Sequence, residues 1–178
     1  MIIAITQLGY SLRPEKSRWS LFNRLDLQQS SIQGSGFDVR SQKIINNLNA
    51  NYLWGDKTQV AFQYGLKYVI DNFDGDEYSG LTDLYGMEVR RDMGSKWDIG
   101  FQGSMYNTYN SDMSDHSYGV SVGYNMARNI WMSLGYNFTG FKDDDFSGSE
   151  YTAKGVFLKY RVKFDQHTAK SMMGLLNR

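Results

Sequence analysis

The chain has no cysteine and a single proline in 178 residues. Without cysteine there is no disulfide, no thiolate zinc cluster and no thiol nucleophile. No apolar run approaches the roughly 18 residues of a spanning helix, and mean hydropathy is −0.51, which excludes a helical membrane protein. An excess of one charge is lacking too. Nineteen basic and nineteen acidic side chains cancel, so nothing points to nucleic-acid binding driven by phosphate charge. What is abundant is aromatic: 13 Tyr, 10 Phe and 4 Trp, with 18 Gly. That composition is unlike a disordered segment, and the length suffices for one domain with a sizeable core.

The dominant signal is period two. Tyr118, Val120, Val122, Tyr124 and Met126 alternate with Gly119, Ser121, Gly123 and Asn125. Strict alternation of this kind denotes a strand with one apolar face. The same reading applies to Ile130, Met132, Leu134, Tyr136 and Phe138, to Val60 through Tyr68, and to the alternations at 97–105 and 156–164. Extended along the chain, it predicts nine strands at 2–13, 17–30, 41–55, 58–71, 81–93, 96–110, 117–127, 129–141 and 151–165. Many exceed the roughly 5–6 residues usual in globular proteins and reach the roughly 9–11 that a tilted membrane strand requires.

Connections sort by length. The short ones are Pro14-Glu15-Lys16, Gly55-Asp56-Lys57, Gly94-Ser95 and Ala127-Arg128; long polar ones are expected at 29–40, 72–80, 110–116 and 142–150. Tight turns at one end and longer loops at the other match a transmembrane barrel. All four tryptophans, Trp19, Trp54, Trp97 and Trp131, sit near the short turns, where an aromatic girdle would meet the headgroups. Strand parity turns Trp19, Trp54 and Trp97 outward, whereas Trp131 is out of phase with Ile130 and Met132. The competing reading takes these indoles as ordinary large core residues.

A soluble barrel points its apolar face inward, a membrane barrel outward. The polar face here is rich in Gly, Ser, Asn and Gln, with charges at Arg24, Asp26, Lys43, Lys67, Glu88, Arg90, Asp98, Lys159 and Arg161. A solvent-facing surface would carry more Lys and Glu. These nine residues are therefore expected to line a lumen and to pair across it.

With that argument made, the chain resembles the C-terminal β-barrel module of Gram-negative outer-membrane proteins, in particular the barrels of large surface proteins with repetitive or OmpA-like regions upstream. The residues that carry the resemblance are Leu12-Arg13-Pro14 with Trp19, Lys96-Trp97-Asp98-Ile99-Gly100, the stretch from Leu134 to Asp145, and the closing strand Tyr151–Phe164. It spans roughly residues 8–165. The expected fold is all-β, an antiparallel up-and-down transmembrane β-barrel over residues 1–165, with a tail at 166–178 that forms a short helix or stays disordered. The resemblance implies location in the Gram-negative outer membrane. It also implies contact with outer-membrane lipid and lipopolysaccharide and insertion by the barrel-assembly machinery. Single-chain bacterial barrels have an even strand number with both ends periplasmic. Nine strands then suggest part of a 10–12-strand barrel, with the missing strands supplied upstream or by a partner chain; one miscounted strand is the alternative. Met1–Tyr10 shows no charged region or cleavage context of a signal peptide, which fits the first of these.

Little in the sequence suggests chemistry. His116 and His167 lack ligand spacing, and Ser104 and Ser133 have no histidine on a neighbouring strand to activate them. Asp92 and Asp98 lie among Arg90, Arg91 and Lys96, so ion pairing is expected over acid–base work. Aspartates crowd the expected loops, at 71–77, 112–115 and 143–150. Such oxygen density can hold calcium, but no complete calcium-loop pattern is present, and solvated acidic loops are the expectation. No cofactor, metal, catalytic residue or nucleic-acid partner is expected. Two functions remain: a membrane anchor or translocator module of a larger surface or periplasmic protein, and a narrow passive-diffusion porin. A soluble lipocalin-like carrier would require the apolar face to point inward.

Overall fold

The computed structural model describes residues 2–34, 37–127, 129–143, 145–146 and 153–162. They form one antiparallel sheet of nine strands in simple chain order. These are β1 Ile2–Leu12, β2 Trp19–Gly34, β3 Phe37–Trp54, β4 Thr58–Phe73, β5 Asp76–Asp92, β6 Trp97–Thr108, β7 Met113–Ala127, β8 Ile130–Thr139 and β9 Gly155–Val162. Each strand pairs with its sequence neighbours, as hairpin connections dictate. The fold is all-β and up-and-down, and no helix occurs among the described residues. Residues 163–178, which include the end of the expected closing strand and the expected tail 166–178 with His167, lie outside them.

Three expectations about connections need correction. The turn between β6 and β7 is only 109–112, so residues 113–116 of the expected long loop 110–116 are strand. The segments 29–40 and 72–80, read as long loops, are largely strand: β2 and β3 pair from Trp19↔Tyr52 up to Gly34↔Phe37, and β4 and β5 pair up to Phe73↔Asp76. Their polar residues do not alternate in hydrophobicity, so periodicity could not mark them, yet the ladder hydrogen bonds continue. Asp74 and Gly75 turn β4 into β5 with positive φ angles of 50° and 97°. Among the described strands, β8 and β9 are the pair separated by a long stretch of chain, 140–154, of which 140–143, 145–146 and 153–154 are described.

Register shows which face is which. Tyr52, Phe62, Tyr64, Tyr85, Met87, Phe101, Met105, Val122, Leu134 and Leu158 share the outer face, and most are exposed. Asp26, Asn47, Asp98, Ser121, Ser133 and Asn137 share the inner face and are buried. The polar face is therefore the covered one, which leaves the lipocalin-like reading without the inward apolar face it requires. In a flat sheet β5 and β9 would stand about 19 Å apart; instead Lys159 Nζ of β9 lies 3.7 Å from Glu88 Oε2 of β5. The sheet curls strongly, polar side inward. The curl stops short of closure among the described residues: β1 pairs only with β2 and β9 only with β8, and every residue of β1 is exposed.

Small residues on the inner face make room for this curl. At Gly123 a Cβ would sit 2.3 Å from an Asp98 carboxylate oxygen, and at Gly65 2.5 Å from the Phe146 ring. Both positions require a bare backbone because a neighbouring side chain lies flat across it.

Candidate functional site: an interior crossed at two levels

On the outside, the apolar band has aromatic borders. Trp19 packs at a tilt against Tyr52, ring centroids 4.7 Å apart, and Trp97 against Tyr124 at 4.6 Å, near the short-turn end, where Trp54 is also exposed. At the other border Asp83 faces outward yet is only 3% exposed. It accepts hydrogen bonds from Asn107 Nδ2 at 2.8 Å and the Tyr109 hydroxyl at 2.7 Å. Donation to that carboxylate, together with burial, pushes the Tyr109 hydroxyl up to about 12. From Trp97 to Asn107 the β6 backbone covers about 34 Å, or about 26 Å through a tilt of about 40°. An outer-membrane band is about 25 Å tall.

Trp131 departs from this border. It sits on the inner face, where its Nε1 donates to Asp98 Oδ2 at 2.6 Å. Its indole also receives the guanidinium of Arg90 at 4.7 Å and of Arg161 at 5.3 Å from the ring. The expectation that it belongs to the girdle is corrected. An indole one residue out of phase with Met132 and Leu134 must point with Ser133, and Asp98 satisfies its N–H there.

Trp131 anchors the lower level, near the short turns. Arg90 pairs with Asp98, donates to Glu88 Oε1 at 2.9 Å, and reaches Ser121 Oγ at 2.9 Å. Lys159 adds to Glu88 and lies 3.4 Å from Gln102 Oε1; Gln102 in turn donates to Asn137 Oδ1 at 2.7 Å. Asp98 is 4% exposed, so its charge depends on these partners. Glu88, Arg90, Asp98 and Lys159 themselves line a polar cavity of about 530 Å³, together with Gln59 and Trp131.

The upper level is built differently. The start of the β8–β9 connection folds inward and crosses to the opposite wall. Asp143 Oδ2 accepts from Lys67 Nζ at 2.5 Å and from the Tyr106 hydroxyl at 2.7 Å, while its Oδ1 accepts the Asp145 amide at 2.9 Å. Asp145 lies 3.2 Å from Lys67 and 3.4 Å from Lys43. Burial alone would raise the Asp143 carboxyl, but the Lys67 and Tyr106 hydrogen bonds hold it below its ordinary value. Around the charges Phe141 and Phe146 pack with Ile45 and Leu84, against the Tyr106 ring. Phe146 is 2% exposed, and burying such a ring contributes about 1.5–3 kcal/mol.

The nine interior charges thus fall into separate groups. Arg24 and Asp26 pair at 3.0 Å near the β1 edge, where Gln7 donates to Asp26 at 2.8 Å. Lys43 and Lys67 hold the inward segment. Glu88, Arg90, Asp98 and Lys159 form the lower cluster, with Arg161 against Trp131. Parity could not find Asp143, Asp145 or Phe146, because they lie outside any strand; Phe141 fell at the end of the expected strand 129–141, which stops at Thr139. The available signal was two phenylalanines flanking an acidic run, an odd composition for a loop kept in solvent. His116, in contrast, stacks on Tyr118 with ring centroids 6.2 Å apart, on the face opposite Ser133.

No protein-family model and no curated protein matches the chain. Among solved structures, one titled as the NanC porin structure in rhombohedral crystal form is similar at 12% identity, over 91% of this chain and 94% of that one, with a TM-score of 0.45.

Proposed function

We propose that the chain is the wall of an outer-membrane β-barrel whose interior is occluded, serving to anchor or translocate a larger surface or periplasmic protein. The observation that supports this most directly is the inward segment: Asp143 and Phe146 lie against Lys67, Tyr106 and Gly65 on the far wall. A second barrier of paired charges stands below it. Exposed leucine, valine and aromatic side chains outside, with buried carboxylates and amides inside, are the reverse of a water-soluble barrel. Lipid and lipopolysaccharide would cover the outer face, and insertion would depend on the barrel-assembly machinery. The exposed β1 edge calls for a pairing strand, from elsewhere in the same protein or from a partner chain, because an unpaired edge in lipid leaves backbone groups unsatisfied.

The test has two parts. Membrane pelleting and gel migration with and without heating should show a membrane-bound, heat-modifiable protein; a folded chain that stays in detergent-free supernatant sinks the membrane reading. Planar-bilayer recordings should show no steady conductance. The alternative is a narrow passive-diffusion porin, favoured by the polar cavity of about 530 Å³ at the short-turn end. A large, stable open state in the unmodified protein would promote that alternative over the anchor.

A further inference from the structure

The outer face is not uniformly convex. Two apolar depressions, of about 640 and 1020 Å³, adjoin on it and share Phe62 and Met87. Together they run from Tyr85 down to Arg91, about 20 Å at the strand rise, which is comparable to an extended acyl chain. Val60 and Phe101 line the lower half, and Gly103 leaves space in the upper half.

The lower end is charged. Lys57, on the turn between β3 and β4, and Arg91, the register partner of Thr58, both line the larger depression beside the exposed indole of Trp54. Neither cation makes an ion pair among the described residues. Asp56 on the same turn is the one carboxylate in that lining. An apolar furrow that ends in two exposed cations and an indole, at headgroup height, is complementary to a lipid with an anionic headgroup.

We propose that this furrow binds one anionic glycerophospholipid of the leaflet at the short-turn end, its phosphodiester between Lys57 and Arg91 and one acyl chain along Phe62 and Met87. The proposal rests on the membrane reading above. The two cations select the headgroup, because Arg can fork two donors onto phosphate while Lys supplies a point charge. The apolar walls hold the chain and give no headgroup preference.

The test uses the full chain reconstituted into vesicles of equal parts dioleoyl phosphatidylglycerol and dioleoyl phosphatidylcholine, then exchanged into mild detergent. Lipid remaining on each chain is counted by native mass spectrometry. The unmodified protein should retain one phosphatidylglycerol in preference to phosphatidylcholine. Lys57→Gln with Arg91→Gln should reduce that retention by on the order of tenfold, as expected from losing charge-assisted hydrogen bonds. Both side chains are exposed, so heat-modifiable folding should persist. Gly103→Phe, which fills the upper furrow without changing charge, should also reduce retention. Equal retention of both lipids, or full retention by the double variant, overturns the site alone. A chain that does not float with the vesicles overturns the site and the membrane reading together.

Discussion

The two levels of the interior are held by opposite means. At the lower level every partner is borne on a strand: Arg90, Asp98, Ser121, Trp131 and Lys159 project from β5 to β9, so the ladder itself sets their separations. At the upper level one side is strand-borne, Lys43, Lys67 and Tyr106, and the other is a loop segment that reaches them. Breaking the lower cluster leaves buried charges with nowhere to go. Breaking the upper one releases a segment into water. The difference separates what supports the wall from what can be moved within it.

The largest effect is therefore expected at Asp98. Asp98→Ala leaves the Trp131 N–H without its acceptor and Arg90 with Glu88 as its remaining carboxylate, a loss of about 3 kcal/mol, read in a urea titration of the micelle-bound protein. Trp131 emission should change in the same variant. If the variant unfolds at the same urea concentration as the parent, the lower cluster is not structural.

Next in size is the outer face, which shows whether the wall faces lipid at all. Leu134→Arg should cost about 2–4 kcal/mol near the bilayer midplane. Ser133→Ala, one residue away on the inner face, should be close to neutral, since removing a hydroxyl leaves no charge behind. A refolding titration in which the two are equal contradicts the assigned faces.

At the upper level Asp143→Asn should cost less, about 1–2 kcal/mol, because Lys67 retains Asp145. The same variant should raise transient conductance in bilayers. Gly65→Ala should do so as well, since its methyl group would displace the Phe146 ring. Unchanged recordings in both would mean that the segment is not the barrier.

The smallest effect is a pH dependence. A carboxyl held below its ordinary value in the folded chain stabilises the folded form above its unfolded value of roughly 4. That contribution is lost as pH falls through the lower, folded value. Asp143 is such a group, so acidification below about pH 4 should loosen the inward segment. Increased proteolysis between residues 140 and 154, diminished in Asp143→Asn, is the expected readout; identical acid response in both would remove Asp143 as the cause.

Strand identity and face were legible in the sequence because period two is a local property: Val120, Val122 and Tyr124 must share a side wherever the chain goes. The inward set from Arg24 to Arg161 followed from the same rule. Parity also held the correct placement of Trp131, which its neighbours already required; grouping it by type with the other tryptophans obscured that. The polar upper halves of β2–β5 carried no alternation, and only the paired ladder reveals them.

The alternation is written locally in the chain, and with it a long-stranded up-and-down sheet having one apolar and one polar face. Tertiary structure alone decided how far that sheet curls, which charges meet, and that the stretch after Thr139 turns inward. Those outcomes depend on contacts between residues far apart in the chain, such as Lys67 with Asp143 and Glu88 with Lys159. Burial of Phe146 against Gly65 and the pairing of Asp143 favour the inward path over a solvated loop, and no local pattern encodes that balance.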